Sequence, residues 1–323
     1  MKAKLEGVLG PSPSQGDVQE VTCLNKIFRW VAGSNGAVPA IEIEPDPRHV
    51  DILIEQFGLS KDAKGLVTPG VKTALTGDWD TLLPPEETKA FRSACMRGSY
   101  LAEDRIDIRY AVKEVSRMMA KPDNAALAAM KHIARYLVGK PRLVQRFPRQ
   151  RAPKEVVTST DADFAGCLRT RQSTSCATLV HGQHLIKMIA ATQKVQALAT
   201  AESEFYALVR GAAAGIGLVS LAANYGRSLK LHLQDDATGA IGIARRRGAG
   251  KVRHIETGTL WLQRHITNKT ISLSKIHGLS NWADLGTKHL PWADVLKCVQ
   301  GLGFEFRTGR AVSAKDAAVK MKA

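Results

Sequence analysis

Four acidic residues in the C-terminal half of the chain stand where carboxylates could act together. Asp161 ends a predicted strand (VVTSTDADFAG), Glu204 lies in the first turn of a predicted helix (TAESEFYAL), Asp236 ends the strand LHLQDD, and Asp284 opens the last helix (NWADLGTK). Carboxylates at strand ends and on a covering helix can converge at one edge of a sheet. Crowded carboxylates raise one another's pKa, whereas hard divalent cations keep them ionised and suit phosphoryl chemistry. The pattern suggests a phosphodiester site with two Mg²⁺ ions.

Each acid taken alone also has an ordinary structural explanation. Asp161 and Asp236 are suited to capping loops, and Asp284 to the N-cap of a helix, a position that Asp commonly fills. The case for a metal site therefore depends on the four acting as a set.

The elements that must position these acids follow a basic, proline-bounded linker at 148–153. Predicted strands are 155–161, 176–181, 184–190, 194–200, 229–234 and 270–276, and predicted helices are 202–225, 238–244, 254–265 and one from about 282. Because strands separated by helices need crossover connections, this series predicts a mixed sheet covered by helices. Upstream, a strand at 40–43, helices at 48–57, 108–120 and 124–138, and a loop at 64–85 predict a small, mainly helical unit.

Positive charge is concentrated in the C-terminal two thirds of the 323 residues. The formal net charge is +16; residues 161–323 hold 22 Lys and Arg against 11 Asp and Glu, residues 99–160 hold 13 against 6, and residues 1–98 hold 11 against 13. Lys and Arg neutralise phosphates and release condensed counterions, so this surplus favours a nucleic-acid partner over solvated surface lysines.

Cysteine and apolar patterns exclude several classes. The five cysteines are scattered without a C-x-x-C pair, which argues against a disulfide framework or a zinc knuckle. The longest apolar run, 211–223, is shorter than the roughly 20 residues that span a bilayer, and no signal peptide is visible. We expect no membrane partner and an intracellular protein, cytoplasmic with access to the nucleus left open.

Six ordered blocks carry a family resemblance: STDADFAG, RTRQSTSCATLVHG, TQKVQALATAESEFYAL, DDATGAI, KVRHIE and NWADLGTKHL. Together they resemble the ribonuclease H domain of copia-type LTR retrotransposon Pol polyproteins. Upstream, DPRHVDILIEQFG, TPGVK and the segment from YLAEDRIDIRYAV to YLVGKPR resemble the stretch that follows the polymerase palm in the same polyproteins. The resemblance covers roughly residues 40–295.

The resemblance implies an α/β fold with a ribonuclease H-like mixed five-stranded sheet and flanking helices, preceded by a small, mainly helical reverse-transcriptase remnant. The implied domains are an irregular segment at 1–39, a thumb- or connection-like remnant at 40–153, the ribonuclease H-like domain at 154–300 and a basic tail at 301–323. No polymerase active site is expected in this chain, since Asp235-Asp236 lies far downstream of the place where the Y-x-D-D hairpin belongs.

Carried over position by position, the four catalytic and metal-binding acids of the family fall on Asp161, Glu204, Asp236 and Asp284. Asp163, Glu202 and Asp235 are neighbouring acids, of which Glu202 is the strongest rival. Three departures from the family pattern occur, at Cys176 (an expected Gly), Ala201 and Gly286.

Several other residues have open interpretations. The basic cluster and one lysine of the last block are candidates for nucleic-acid binding: Arg245, Arg246, Arg247, Lys251, Arg253 and Lys288. The cluster could instead be a nuclear-localisation-like patch or a solvated loop. His254 and His277 could assist proton transfer or product release, although hydrogen-bonded structural roles are commoner. In the upstream unit, Arg135, Lys140, Arg142 and Arg146 are expected to contact a bound duplex.

The leading hypothesis is Mg²⁺-dependent endonucleolytic cleavage of the RNA strand of RNA·DNA hybrids, with Mn²⁺ as a substitute ion. One ion would activate water and the other would stabilise the leaving 3′ oxygen. The expected partners are the hybrid and the upstream polymerase portion of the polyprotein. Two alternatives stay open: a catalytically inactive nucleic-acid-binding remnant, and a structural subdomain of a full reverse transcriptase.

Overall fold

The computed structural model describes residues 8–33, 37–60, 62–72, 81–250, 252–255, 257–311 and 314. The chain divides into two compact units. Unit 1 comprises Met1–Arg149 together with Pro291–Ala323, and unit 2 comprises Gln150–Leu290. The sequence placed the boundary near 153 but assigned 154–300 to a single domain, whereas the chain rejoins unit 1 at Pro291.

Unit 1 combines helices with an antiparallel sheet that the sequence did not predict. Its elements before the linker are β1 (Glu20–Cys23), β2 (Lys26–Val31), β3 (Ala40–Glu44), α1 (Arg48–Gln56), α2 (Pro85–Leu101), α3 (Arg109–Ser116), α4 (Asn124–Gly139) and β4 (Arg142–Pro148). Strands β1 and β2 lie in the segment expected to be irregular. A two-residue turn joins them, with Leu24 and Asn25 both at positive φ, the geometry of a type I′ hairpin.

The core of unit 1 lies among α1, α2, α3 and α4, whose apolar faces enclose residues such as Leu53, Phe91, Ile108, Ile133 and Leu137. Helix α4 begins after Asp123, whose side chain accepts a 2.8 Å hydrogen bond from the amide of Ala126. The predicted helices near 48–57, 108–120 and 124–138 therefore correspond to α1, α3 and α4, while α2 begins where a loop was expected to end.

Unit 2 contains a mixed five-stranded sheet. Its elements are β5 (Glu155–Asp163), β6 (Thr174–His181), β7 (His184–Thr192), α5 (Thr200–Asn224), β8 (Lys230–Asp235), α6 (Thr238–Arg245), α7 (Trp261–Thr267) and β9 (Ile271–Lys275). The strand order is β7-β6-β5-β8-β9, with β5, β6 and β7 antiparallel and β8 and β9 parallel to β5. Apolar side chains of the sheet, α5, α6 and α7 form one core. The predicted mixed five-stranded sheet with flanking helices is confirmed.

Two predicted elements of unit 2 differ from the structure. Residues 194–200 do not form a strand; the side chain of Gln193 is buried and donates to Ser175 Oγ and to the carbonyl oxygen of Ser203, both at 2.8 Å, so the chain turns there toward α5. The helix predicted at 254–265 begins only at Trp261, after a single 3-10 turn at Thr257–Thr259.

Helix α5 packs closely on the sheet because glycines face it. A Cβ atom on Gly211 would lie 2.5 Å from Thr160 Cγ2, and one on Gly215 would lie 2.5 Å from Leu231 Cδ1. By length and composition alone α5 could cross a membrane, which the sequence analysis did not anticipate, but core helices meet the same criteria. Its first turns carry the buried carboxylates Glu202 and Glu204, as expected of a core helix bearing a site.

The chain then returns to unit 1 as α8 (Trp292–Gly301) and β10 (Phe304–Arg307), in the region expected to end the second domain and form a tail. Strand β10 pairs antiparallel with β4 and completes the sheet order β1-β2-β3-β4-β10. Buried Glu42 and Glu44 on β3 form ion pairs with arginines on β2, β4 and β10, namely Arg29, Arg142, Arg146 and Arg307. Arg142 and Arg146, expected to contact a duplex, are thus engaged within unit 1.

Candidate active site

Three carboxylates converge at one edge of the sheet of unit 2. Asp161 is on β5, Asp236 follows the end of β8, and Glu204 is near the start of α5. Each offers an oxygen, and these oxygens all lie within 4.8 Å of one another. Because β5 and β8 are parallel neighbours, their C-terminal ends meet at the same edge, and α5 crosses above it. The structure therefore brings together three of the four acids that the sequence selected.

Asp161 is almost fully buried, and its carboxylate accepts a hydrogen bond from Thr287 Oγ1. Burial raises the pKa of Asp161 to about 7; Asp284 and Asp236 add to the rise, whereas Lys288 and the Thr287 hydroxyl oppose it. A carboxylate in this position holds its charge at neutral pH only when cations lie close to it.

Glu204 has the most strongly perturbed carboxyl group of the three. Burial raises its pKa to about 10, and the charges of Asp161, Asp235 and Asp236 contribute further. Its Oε2 atom is buried and has no hydrogen-bond partner among the described residues. A buried acceptor without a donor is costly, and a bound cation would satisfy it.

The donor set thus fits a divalent metal ion. Three clustered carboxylates supply hard oxygen ligands of the kind that Mg²⁺ and Mn²⁺ accept. Asp161, Glu204 and Asp236 would hold such an ion, and Asp284 is the further ligand that the sequence proposes.

Asp284 lies in a 3-10 turn, Trp282–Gly286, rather than in the predicted helix. Asn281 caps this turn by accepting from the amide of Ala283, and its Nδ2 donates to the carbonyl oxygen of Thr160 at 2.8 Å. Asp284 Oδ1 binds Lys288 Nζ at 2.7 Å, and Asp284 is outside the group of three carboxylates described above. The turn is therefore tied to β5 beside the site, with its carboxylate paired to a lysine.

The three neighbouring acids have structural partners. Asp163 accepts from the amide of Thr174, and Asp235 accepts from Thr160 Oγ1 at 2.7 Å and from the amide of Ala237 at 2.9 Å. Burial raises the pKa of Asp235 to about 7.

The third neighbour, Glu202, accepts from the amide of Leu198 at 2.9 Å and lies 2.7 Å from Nε2 of His254. Glu202 Oε1, like Glu204 Oε2, is buried without a hydrogen-bond partner among the described residues, so the difference lies in position: Glu204 belongs to the carboxylate group with Asp161 and Asp236, and Glu202 does not.

The basic cluster after α6 is only partly available for a ligand. Arg245 donates to the carbonyl oxygen of Leu273 at 2.8 Å, and Arg246 donates to that of Ala249. Arg247 and Arg253 are exposed, and Lys251 lies outside the described residues. The role of these residues in nucleic-acid binding stays a prediction, with Arg247 and Arg253 as its strongest members.

Some residues at the site were missed or only partly anticipated from the sequence. Thr287 and Asn281 were not singled out, although both lie in the NWADLGTK block that drew attention to Asp284. His254 pairs with Glu202, and His277 accepts from the amide of Leu279 at 3.3 Å, so both histidines have the hydrogen-bonded roles given as the commoner alternative.

Cys176 and Gly286, two of the positions that depart from the family pattern, lie close together in space. A Cβ on Gly286 would lie 2.4 Å from Cys176 Sγ and 2.8 Å from Met188 Cε. Cys176 is fully buried on β6 directly opposite Asp161 on β5. The cysteine thus occupies space that a larger residue at 286 would need, and the two positions fit as a pair.

Comparison with known proteins supports the predicted relationship. The chain is 30% identical over 152 residues to the uncharacterized mitochondrial protein AtMg00810 of Arabidopsis thaliana. The matched region covers 47% of this chain and 62% of that protein. It is 28% identical over 193 residues to the retrovirus-related Pol polyprotein from transposon TNT 1-94 of Nicotiana tabacum, covering 58% of this chain and 14% of the polyprotein. The predicted resemblance to retrotransposon Pol polyproteins is confirmed, and the chain matches less than two thirds of either relative. No protein-family model matches it.

Among solved structures, two ribonucleases H1 are similar. LC11-RNase H1, isolated from compost, aligns with a TM-score of 0.30 and 12% identity over 42% of this chain and 93% of its own. RNase H1 from Halobacterium salinarum aligns with a TM-score of 0.27 and 15% identity over 44% and 98%.

Proposed function

We propose that this chain carries the ribonuclease H activity of a retrotransposon Pol polyprotein and cleaves the RNA strand of RNA·DNA hybrids in a Mg²⁺-dependent reaction. The main observation behind this proposal is that carboxylate oxygens of Asp161, Glu204 and Asp236 lie within 4.8 Å of one another at one edge of the sheet. The sequence relationship to a Pol polyprotein supports it.

Each residue of the site has a distinct part in this proposal. Asp161, Glu204 and Asp236, together with Asp284 from the adjoining turn, would hold two Mg²⁺ ions through their carboxylate oxygens. The Thr287 hydroxyl fixes the rotamer of Asp161, and Asn281 fixes the turn itself. Bound Mg²⁺ would supply Lewis-acid activation of the attacking water and stabilisation of the leaving 3′ oxygen.

Substrate choice in this proposal depends on shape. A hybrid offers 2′-hydroxyl groups on one strand only, so a protein can distinguish the strands without reading bases. In this proposal the exposed Arg247 and Arg253 would contact phosphates, and the polymerase portion of the polyprotein would act as the upstream partner.

The decisive experiment compares four end-labelled duplexes of one sequence: RNA·DNA labelled on either strand, RNA·RNA and DNA·DNA, each with Mg²⁺ or with EDTA. We expect Mg²⁺-dependent cleavage of the RNA strand of the hybrid alone. Binding without cleavage would instead identify an inactive nucleic-acid-binding remnant. Neither binding nor cleavage would favour a subdomain that works only within the full polyprotein.

Binding itself should respond steeply to salt. Residues 161–323 carry 22 Lys and Arg against 11 Asp and Glu. Each phosphate that the protein contacts releases condensed counterions, which makes the slope of log binding constant against log salt concentration more negative by about 0.7 to 0.9. A slope near zero in a fluorescence anisotropy titration would contradict the electrostatic part of the proposal.

A further inference from the structure

Lys288 lies between two carboxylates of the site. Its ammonium nitrogen is 2.7 Å from Asp284 Oδ1 and 3.7 Å from Asp161 Oδ2. The first contact joins residues four apart on one turn, where such pairs are common. The second joins the turn to a strand 127 residues earlier in the chain, so local helix geometry does not account for it.

Thr287 and Lys288 approach the same oxygen of Asp161, one with a hydroxyl and the other with an ammonium group. The Asp161 side chain is 3% exposed, whereas that of Lys288 is 45% exposed. A charge as deeply buried as that of Asp161 needs compensation. Lysine provides a compact charge on a flexible stem, which can also withdraw toward solvent.

We propose that Lys288 is an internal counterion that takes the place of a divalent cation between Asp161 and Asp284 and must be displaced before an ion binds there. The inference rests on the proposed two-metal site and deepens it. It assigns Lys288 a role at the carboxylates in place of the phosphate contact expected from the sequence.

The two ion positions then differ in the metal-free protein. In the cluster of Asp161, Glu204 and Asp236, Glu204 Oε2 has no hydrogen-bond partner among the described residues, so a cation can bind there without displacing another group. The position between Asp161 and Asp284 already has a positive charge. Its ion must compete with the tethered ammonium, so the second ion binds more weakly than the first and Lys288 sets the difference.

Metal titration of the full chain without nucleic acid tests this directly. Calorimetry with Mg²⁺, and with Mn²⁺ as a second probe, is carried out on the wild type, Lys288→Met, Lys288→Arg and Lys230→Met. Lys230 is an exposed lysine at the opposite end of β8 from Asp235 and controls for the loss of one charge. We expect Lys288→Met to bind the second ion about tenfold more tightly, and both other variants to resemble the wild type.

The melting temperature, measured with and without Mg²⁺, provides a second readout. A variant that is merely misfolded would not show a larger Mg²⁺-induced increase than the wild type. Without divalent ions, Lys288→Met should melt at a lower temperature than the wild type, and saturating Mg²⁺ should raise its melting temperature by more. Equal or weaker second-ion affinity in Lys288→Met, an equal Mg²⁺-induced shift, or the absence of ion binding in every protein would each overturn the proposal.

Hybrid cleavage measured on the same preparations separates this inference from the proposed function. Competition between Lys288 and the ion in a protein that cleaves no hybrid would support the counterion and contradict the ribonuclease. Cleavage combined with unchanged ion affinity in Lys288→Met would do the reverse.

Discussion

The imidazole Nε2 of His254 lies 2.7 Å from Oε2 of Glu202, whereas Glu204, two residues further along α5, belongs to the carboxylate cluster. Two acids that are almost equivalent in the sequence TAESEF thus have different surroundings. Glu202 connects the start of α5 to Leu198 and His254 through hydrogen bonds, so its role is structural. Glu204 is then the metal-binding candidate.

Replacement of these two acids by glutamine should therefore have unequal effects. We expect Glu204→Gln to lower hybrid cleavage by at least about a hundredfold, since it loses a ligand charge at the reacting centre. Glu202→Gln keeps a hydrogen-bonding group for Leu198 and His254 and should retain most of the rate. Single-turnover cleavage at saturating Mg²⁺ measures both, and an equal loss in the two variants would show that the assignment of Glu204 is wrong.

Asp161→Asn should abolish cleavage while leaving hybrid affinity within about twofold, because the amide preserves size but removes the charge that holds a cation. Asp163→Asn is the matched control two residues away. Its side-chain oxygen can still accept from the amide of Thr174. Gel-based cleavage and anisotropy binding distinguish the two; the prediction fails if Asp163→Asn is as inactive as Asp161→Asn.

Stability of the metal-free protein should fall as the pH rises. The pKa values of Asp161 and Glu204 are raised to about 7 and about 10 in the folded protein, above their ordinary values near 4. The folded state therefore holds these protons more tightly than the unfolded state, and the resulting stabilisation is lost from about pH 4 upward, through pH 7 for Asp161 and toward pH 10 for Glu204.

Mg²⁺ should flatten this dependence, since a bound cation favours the ionised carboxylates. Differential scanning calorimetry from pH 5 to pH 9, with EDTA or with Mg²⁺, measures the effect. A melting temperature that rises across this range in EDTA, or identical slopes with and without Mg²⁺, would contradict the expectation.

The glycines of α5 offer a matched test of packing. Gly211→Ala places a methyl group 2.5 Å from Thr160 Cγ2 and should destabilise unit 2 by about 1 to 3 kcal/mol. Gly217 has no atom within 4 Å of the corresponding position, so Gly217→Ala should be neutral or stabilise by up to about 1 kcal/mol. Urea unfolding of the full chain compares them, and similar effects for both variants would show that close approach to the sheet is unimportant.

Cys176 and Gly286 should show strong coupling. Gly286→Ala alone is expected to destabilise by about 1 to 3 kcal/mol because its methyl group overlaps Cys176 Sγ. Cys176→Gly, which restores the residue expected from the family pattern, should relieve that overlap, so the double variant should be more stable than the sum of the single effects predicts. A double-mutant cycle measures this, and additive effects would contradict it.

The sequence by itself determined much of unit 2. Local patterning specified most of its strands and helices, because alternation and helical periodicity report directly on which faces are buried. It also singled out Asp161, Glu204 and Asp236, because their blocks resemble those of the family in order and spacing; the structure brings the three together, and their role as metal ligands stays a prediction.

Only the tertiary structure decided how unit 1 is completed. Strand β10 pairs with β4 across more than 150 residues, and Glu42 and Glu44 of β3 are buried where they form ion pairs with arginines of β2, β4 and β10. Polar residues in a short segment predict exposure, and no local pattern reveals an ion-pair partner that is distant in sequence.

The same reason separates the acids of the site. Glu202 and Glu204 are two residues apart and point to different sides of α5, but helical periodicity does not say which side meets His254 and which meets Asp161. Likewise, the NWADLGTK block predicts an acid but not that Lys288 reaches Asp161. Those relationships depend on how β5, α5 and the 282–288 turn meet in space, because the interaction of charges is set by distance and burial rather than by position along the chain.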